Sequence, residues 1–164
     1  MEKVKKDSEM IIWLTGQPGS GKTTLAKRFI EDKLIGFMKI QPVRIVHIDG
    51  DDLREIVDNK DYSEEGRREN IKLAMNIARF LDNKGFTVIV SMVSPYRDQR
   101  EKLKMERNIG EFYCHTTEIR GKEDYFVENY EPPLHNFVDI NTNKTIEECT
   151  DEVLDVYRQM AAVA

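Results

Sequence analysis

Hydrophobic residues in this chain gather into short β-rich runs separated by longer stretches with helical spacing, the pattern of a parallel sheet covered on both faces. Five runs predict strands: Met10–Thr15, Val43–Asp49, Thr87–Val93, Glu111–His115 and Phe137–Ile140. Thr87–Val93 is the most β-branched of them and is expected at the centre of the sheet. After the first strand, Leu25, Ala26, Phe29, Ile30 and Leu34 recur three and four apart, which predicts a helix from Lys22 to about Lys33, ended by Gly36. Ser63 is a good N-cap, with Glu64 and Glu65 at the positive end of a helix that continues through Ile71, Ala74, Met75, Ala78 and Leu81 until Gly85. Tyr96 to about Arg107 is almost all charge and reads as a solvated helix face or a rim for a partner. Residues 116–136 break the pattern into a polar loop long enough to suggest function. Thr145–Glu148 is a capping box that opens a C-terminal helix with Ile146, Cys149, Val153, Val156, Tyr157 and Met160 as its apolar stripe.

Composition narrows the class of protein. A chain of 164 residues predicts one domain over 1–164, with 1–9 as a polar extension. A net charge of -5 argues against a broad nucleic-acid surface, so any basic residues that matter should be local. No apolar run has the length of a membrane span, and Met1–Glu9 is too polar for a signal peptide, so a cytoplasmic protein is expected. Cys114 and Cys149 are far apart without ligand spacing and read as reduced core residues.

The chemistry begins at Gly16-Gln17-Pro18-Gly19-Ser20-Gly21-Lys22-Thr23-Thr24, between the first strand and the first helix. Glycines at 16, 19 and 21 allow a tight loop whose N–H groups point inward, at a helix N-terminus that favours anions. Lys22 supplies a charge for the terminal phosphates, and Thr23 a hydroxyl for magnesium. With the strand–helix alternation, this loop predicts an α/β protein with a P-loop NTPase-type three-layer α/β/α fold and a five-stranded parallel sheet.

Four further clusters should converge at the carboxyl edge of that sheet, where such folds bind ligands. In Asp49-Gly50-Asp51-Asp52-Leu53-Arg54, Asp51 can take a proton or help hold magnesium, and Arg54 can clamp an anion; a helix N-capped by Asp51 or Asp52 would look similar. Arg67 and Asn70 share one helical face beside Tyr62, although helix arginines next to glutamates are usually surface ion pairs. Ser94, Pro95 and Tyr96 close the third strand, a position that favours contact with the substrate, although a Ser-Pro strand terminator would look identical. Arg120, Lys122 and Tyr130 lie in the polar loop, where they can cover a nucleotide.

GQPGSGKTT, HIDGDDLR, YSEEGRRENI and SMVSPYRDQRE, in that order, resemble the motifs of the adenylylsulfate (adenosine 5'-phosphosulfate) kinase family: GxSGxGKTT, LDGDNxR, FSxxxRxENI and xxISPYRxxR. The resemblance covers about Ile11 to Glu101. It implies an ATP- and magnesium-dependent kinase acting on the 3'-hydroxyl of a small nucleotide, with homodimerisation left open and neither nucleic acid nor membrane as partner. Lys22 and Thr23 would serve ATP and magnesium, and Asp51 would receive the acceptor's proton. Asp49, Arg54, Arg67 and Asn70 would bind the acceptor, and Tyr62 would stack on its base. Ser94 would position rather than carry the phosphoryl group, since this chemistry needs mainly alignment and electrostatics. After Glu111 the chain departs from the family. His115 stands near the family's aspartate, the lysine-rich lid helix is missing, and Tyr130-Glu131-Pro132-Pro133 alone resembles the last motif.

A shortened lid over 116–136 allows an acceptor other than adenylylsulfate, such as cytidine diphosphoramidate, and Arg120 and Lys122 would replace the lid's charges. Two other classes remain at this stage. A guanine-nucleotide switch would need Asn-Lys-x-Asp, but Asn143-Lys144-Thr145-Ile146 lacks the aspartate. A gluconate- or shikimate-type kinase would not need the base-stacking Tyr62.

Overall fold

The structure, a computed structural model, describes residues 10–163, so the expectation for 1–9 lies outside the described residues. Five parallel strands form one sheet in the order β2-β3-β1-β4-β5. They are β1 (Ile11–Thr15), β2 (Ile45–Asp49), β3 (Thr87–Ser91), β4 (Ile109–His115) and β5 (Val138–Asn141). The expected class and strand number are therefore found, but β1, not the strand at Thr87, holds the centre. Burial on both faces does not separate the two strands, since Ile89 of β3 enters one core and Val88 and Val90 the other; only the order of pairing does, and β1 is buried in the same alternating way. Ile12 and Leu14 enter one core with α1 (Lys22–Arg28) and α5 (Ile146–Val163). Ile11 and Trp13 enter the other with α3 (Glu64–Asn83) and α4 (Arg97–Glu106). A strand buried on both faces reads as an unbroken apolar run.

Several boundaries move for local reasons. The first helix does not stop near Lys33 but widens into a π-helix over Phe29–Phe37, with Met38 N–H donating to Lys33 O at 2.8 Å, five residues back. Bonds of that span bring residues five apart onto nearly one face, and Phe29 and Leu34 are both buried. Val43 and Arg44 are not in the second strand; they form a 3₁₀ turn, because β2 pairs only with β3 and the pairing begins at Ile45 and Thr87. Gly50–Val57 forms a short helix, α2, with Asp49 in the N-cap position, so Asp51 and Asp52 occupy its first turn and are not the cap. Ser63 caps α3, accepting from Gly66 N–H at 3.2 Å, and Thr145 caps α5, accepting from Glu148 N–H at 3.2 Å. Both caps were legible in sequence.

The largest correction concerns α4. Its charge run is only in part a solvated face: Asp98, Lys102 and Glu106 are exposed, but Arg100 is 3 % exposed and donates through Nε to Glu111 of β4 at 2.8 Å, while Lys104 donates to the other Glu111 oxygen at 2.8 Å. Arg100 also donates to the carbonyls of Ser94 and Glu131. The sequence showed charges in both elements but not that they face each other. Cys114 and Cys149 are free and buried, as expected.

Candidate active site

The phosphate loop joins β1 to α1 through backbone that only glycine tolerates. Gly16 has φ 152°, and a Cβ there would lie 2.2 Å from Cys114 O. Gly19 has φ 79°, and a Cβ there would press on Lys122 at 2.9 Å. Lys22 is buried and donates to Gln17 O at 2.8 Å and Ser20 Oγ at 3.3 Å. Burial pushes its pKa down to about 8, against the pull of Asp49 and Asp51. Thr23 Oγ1 donates to Asp49 Oδ1 at 2.7 Å, and Ser91 Oγ donates to the same oxygen at 2.8 Å. Burial raises the Asp49 carboxyl, but these donors and the nearby His47 outweigh it and hold the group below the usual carboxylate range. Asp49 is therefore tied to Thr23 of the loop while also lining the cavity that opens beside it. An aspartate ending an apolar strand was the available signal.

Beside this loop opens a cavity of about 730 Å³ over the ends of β2 and β3. It gathers Lys22 and Thr23 with Asp51, Arg54, Tyr62, Arg67, Asn70, Ser94, Pro95 and Lys122, residues scattered over a hundred positions of the chain. Among the described residues, neither the Asp51 carboxylate nor the Arg67 guanidinium has a hydrogen-bond partner, and both line the cavity, so both are open to a ligand. Asn70 is 3 % exposed, and its Oδ1 is buried without a partner. A buried polar atom left unpaired costs about 1–3 kcal/mol unless a ligand meets it. Arg54 is less free than expected: its Nη1 donates to Asn59 O at 3.1 Å and Asp61 O at 3.0 Å, and its guanidinium lies 4.2 Å from the Tyr62 ring centroid. It shapes the 59–62 loop and holds Tyr62 while leaving Nε and Nη2 open.

Two expected acceptor residues lie elsewhere. Tyr96 is buried under the Arg68 guanidinium, 4.2 Å from its ring centroid, and lines a neighbouring recess of about 550 Å³. Arg120 lies on the other side of the phosphate loop, donating to Gly19 O at 3.2 Å and Thr142 O at 2.7 Å, and lines a second cavity of about 470 Å³. That cavity also contains Gly21, Thr24, Thr142 and Lys144. Lys122, Lys22, Thr23 and Gly19 line both cavities, so the phosphate loop is their common wall.

Ser94 is buried in left-handed backbone at φ 39°, a strained state for a residue before proline. Its Oγ accepts from Trp13 Nε1 at 2.8 Å and donates to Met92 O at 3.0 Å, so its proton is already committed. Sequence reasoning missed Gln17, whose side-chain amide makes a reciprocal pair with the backbone of Val127, at 2.8 Å and 2.9 Å. It also missed Phe126, which lines both the acceptor-side cavity and the recess. Tyr130 donates to or accepts from Thr15 Oγ1 at 2.7 Å and stacks on Tyr113, so it is a support for the loop and not a cover for a nucleotide.

The family model for adenylylsulphate kinase matches residues 8–123, a span that contains the phosphate loop and every element of the larger cavity except its final loop residues. The chain belongs to the adenylylsulphate kinase family. Among individual relatives, the cytidine diphosphoramidate kinase of Campylobacter jejuni is 35% identical over 103 residues, covering 60% of this chain and 58% of that protein. The adenylyl-sulfate kinase of Burkholderia ambifaria is 34% identical over 111 residues, covering 66% and 58%. That of Chloroflexus aurantiacus is 30% identical over 179 aligned positions, covering 95% and 92%. Thus the chain matches little more than half the length of the first two relatives. Among solved structures, the Mycobacterium tuberculosis APS kinase CysC in complex with AMPPNP and APS superposes with a TM-score of 0.76 at 21% identity, covering 93% of this chain and 99% of that one. This likeness confirms the fold of the family. Among the described residues, no helix is long and apolar enough to cross a membrane.

Proposed function

We propose that this protein is a kinase that moves the γ-phosphoryl group of ATP to the 3'-hydroxyl of a small nucleotide, with adenylylsulfate as the first acceptor to test. The observation that carries this reading is one cavity in which Asp51, Arg67 and the unpaired Asn70 open onto Lys22 of the phosphate loop. ATP would occupy the Arg120 side of the loop and present its γ-phosphate beside Lys22. The acceptor would lie on the Asp51 side, its base against Tyr62 and Phe126 and its anionic group on Arg67. Asp51 takes the proton of the 3'-hydroxyl as the oxygen–phosphorus bond forms and the bond to the β-phosphate oxygen breaks, releasing ADP. Lys122, on the common wall, is placed to neutralise charge between the two nucleotides. The committed hydroxyl of Ser94 supports a positioning role over a phosphoenzyme.

The residues also suit magnesium. The Thr23 proton is spent on Asp49, which leaves the hydroxyl's lone pairs for a hard cation, and an ionised Asp49 stands beside it. Thr23 and Asp49 would hold the ion, which when bound neutralises the β- and γ-phosphate oxygens.

Cytidine diphosphoramidate is the second acceptor to consider, favoured by the Campylobacter jejuni relative and by the absence of a long lid helix in 116–136, where only Glu123–Tyr125 forms a 3₁₀ turn. The deciding experiment measures ADP release with adenylylsulfate, cytidine diphosphoramidate, nucleoside monophosphates, gluconate and shikimate as acceptors. Stimulation by one nucleotide and not by the sugar acids is expected. Release stimulated only by gluconate or shikimate would overturn the nucleotide reading. With the accepted nucleotide, Asp51→Asn should lower kcat about 100-fold or more while ATP still binds; unchanged turnover would remove Asp51 from the chemistry.

A further inference from the structure

A hydrogen-bond chain that joins two residues at unspecified motif positions, His47 and Ser91, to Asp49 and Thr23 runs from the sheet edge into the phosphate loop. His47 and Asp49, two apart on β2, project to the same side of the sheet, and Ser91 lies opposite Asp49 in the β2–β3 register. His47 Nε2 is 2.7 Å from Ser91 Oγ, Ser91 Oγ donates to Asp49 Oδ1 at 2.8 Å, and Thr23 Oγ1 donates to that same oxygen at 2.7 Å. Counting hydrogens gives the chain a direction. Ionised Asp49 has no proton, so the one hydroxyl proton of Ser91 goes to Asp49, and Ser91 must accept from His47 Nε2–H. The neutral Nε2–H tautomer and the imidazolium both meet this demand, so the direction does not depend on the charge of His47. Neither His47 nor Ser91 occupies a specified position of the four motifs.

We propose that His47 is a positioning residue for the magnesium–nucleotide complex: its donation locks the Ser91 hydroxyl onto Asp49, and the locked carboxylate orients the Thr23 hydroxyl toward the metal. Without His47, Ser91 Oγ is free to rotate and to give its proton elsewhere, and Asp49 Oδ1 loses one of its two donors. Partners of this kind around a metal ligand are typically worth about 10- to 100-fold in metal affinity. The proposal rests on the magnesium-dependent nucleotide reading above, but not on the identity of the acceptor.

The test is ADP binding by calorimetry, in magnesium and in EDTA, with no acceptor present. In wild type, magnesium should tighten ADP binding. In His47→Ala that gain should fall about tenfold or more, while the affinity in EDTA stays the same. Ser91→Ala should show the same loss, and the double variant no further loss, because both changes cut one chain. His47→Gln, which retains a donor, should recover part of the gain. A merely structural role would lower the thermal midpoint without changing the magnesium gain, and that result overturns the proposal. Additive losses in the double variant overturn it as well. If His47→Ala does not fold, a full magnesium gain in Ser91→Ala is equally fatal. A wild type whose ADP affinity ignores magnesium would instead overturn the magnesium reading itself, and this proposal with it.

Discussion

The Lys22 amine is buried inside the loop that is to receive phosphate, and it currently donates to that loop's own atoms. With a pKa of about 8 in the free protein, it is mostly protonated below pH 8 and mostly neutral above. A bound polyphosphate favours the ammonium, so its pKa rises in the complex. Nucleotide affinity should therefore be flat below pH 8 and weaken as the pH rises through 8. Calorimetry at pH 8 in buffers of different ionisation enthalpy should find uptake of about half a proton per ADP bound; zero uptake would place the Lys22 pKa well away from that value. Arg67 gives a second test at this scale. Because its guanidinium has no partner in the described protein, Arg67→Ala should leave stability nearly unchanged yet raise the acceptor KM about tenfold or more, the value of a charged hydrogen bond. An effect confined to the KM for ATP would move Arg67 to the donor side.

Pairs of elements account for how the cavity walls are held. Arg100 on α4 and Glu111 on β4 form a nearly dry ion pair at 2.8 Å, with Lys104 on the second carboxylate oxygen. Removing one partner leaves the other charge buried, so Glu111→Ala should cost about 3–5 kcal/mol in urea unfolding. A cost under about 1 kcal/mol would mean the pair behaves as an exposed one. Arg100 also holds the Ser94 and Glu131 carbonyls, so α4 ties the strained end of β3 to the loop after β4. On the other flank, Gln17 clasps Val127 through both its amide atoms. In Gln17→Ala the Val127 amide should exchange with deuterium about tenfold faster or more, as two hydrogen bonds are lost. Unchanged exchange would show that the loop is held in place without Gln17.

In the whole molecule, α1 and the phosphate loop stand between two cavities that share Gly19, Lys22, Thr23 and Lys122. Ligands on both sides would thus touch the same residues, which suits a direct transfer between two bound nucleotides. Because only the folded chain builds this wall, magnesium–ADP at 100 times its Kd should raise the unfolding free energy by about 2.7 kcal/mol. A much smaller rise, measured with free ligand in excess, would mean that the nucleotide also binds the unfolded chain.

The sequence alone determined whatever depends on spacing along the chain: the alternation of strands and helices, the caps at Ser63 and Thr145, the glycine-rich loop, and the side chains of the four motifs. These are local matters, decided by backbone geometry and by periods of two and three to four residues. Tertiary structure alone decided which strand is central, because β1 and β3 are both covered on two faces and only the order of strand pairing separates them. It turned Arg100 and Lys104 of α4 inward by placing Glu111 opposite them, tied Asp49 to Thr23, and set Arg120 behind the phosphate loop and Tyr96 under Arg68. It also joined His47, Ser91, Asp49 and Thr23 into one chain of hydrogen bonds. Partners separated by tens of residues leave no periodic trace, since their meeting is set by strand order and register, which a single sequence does not display.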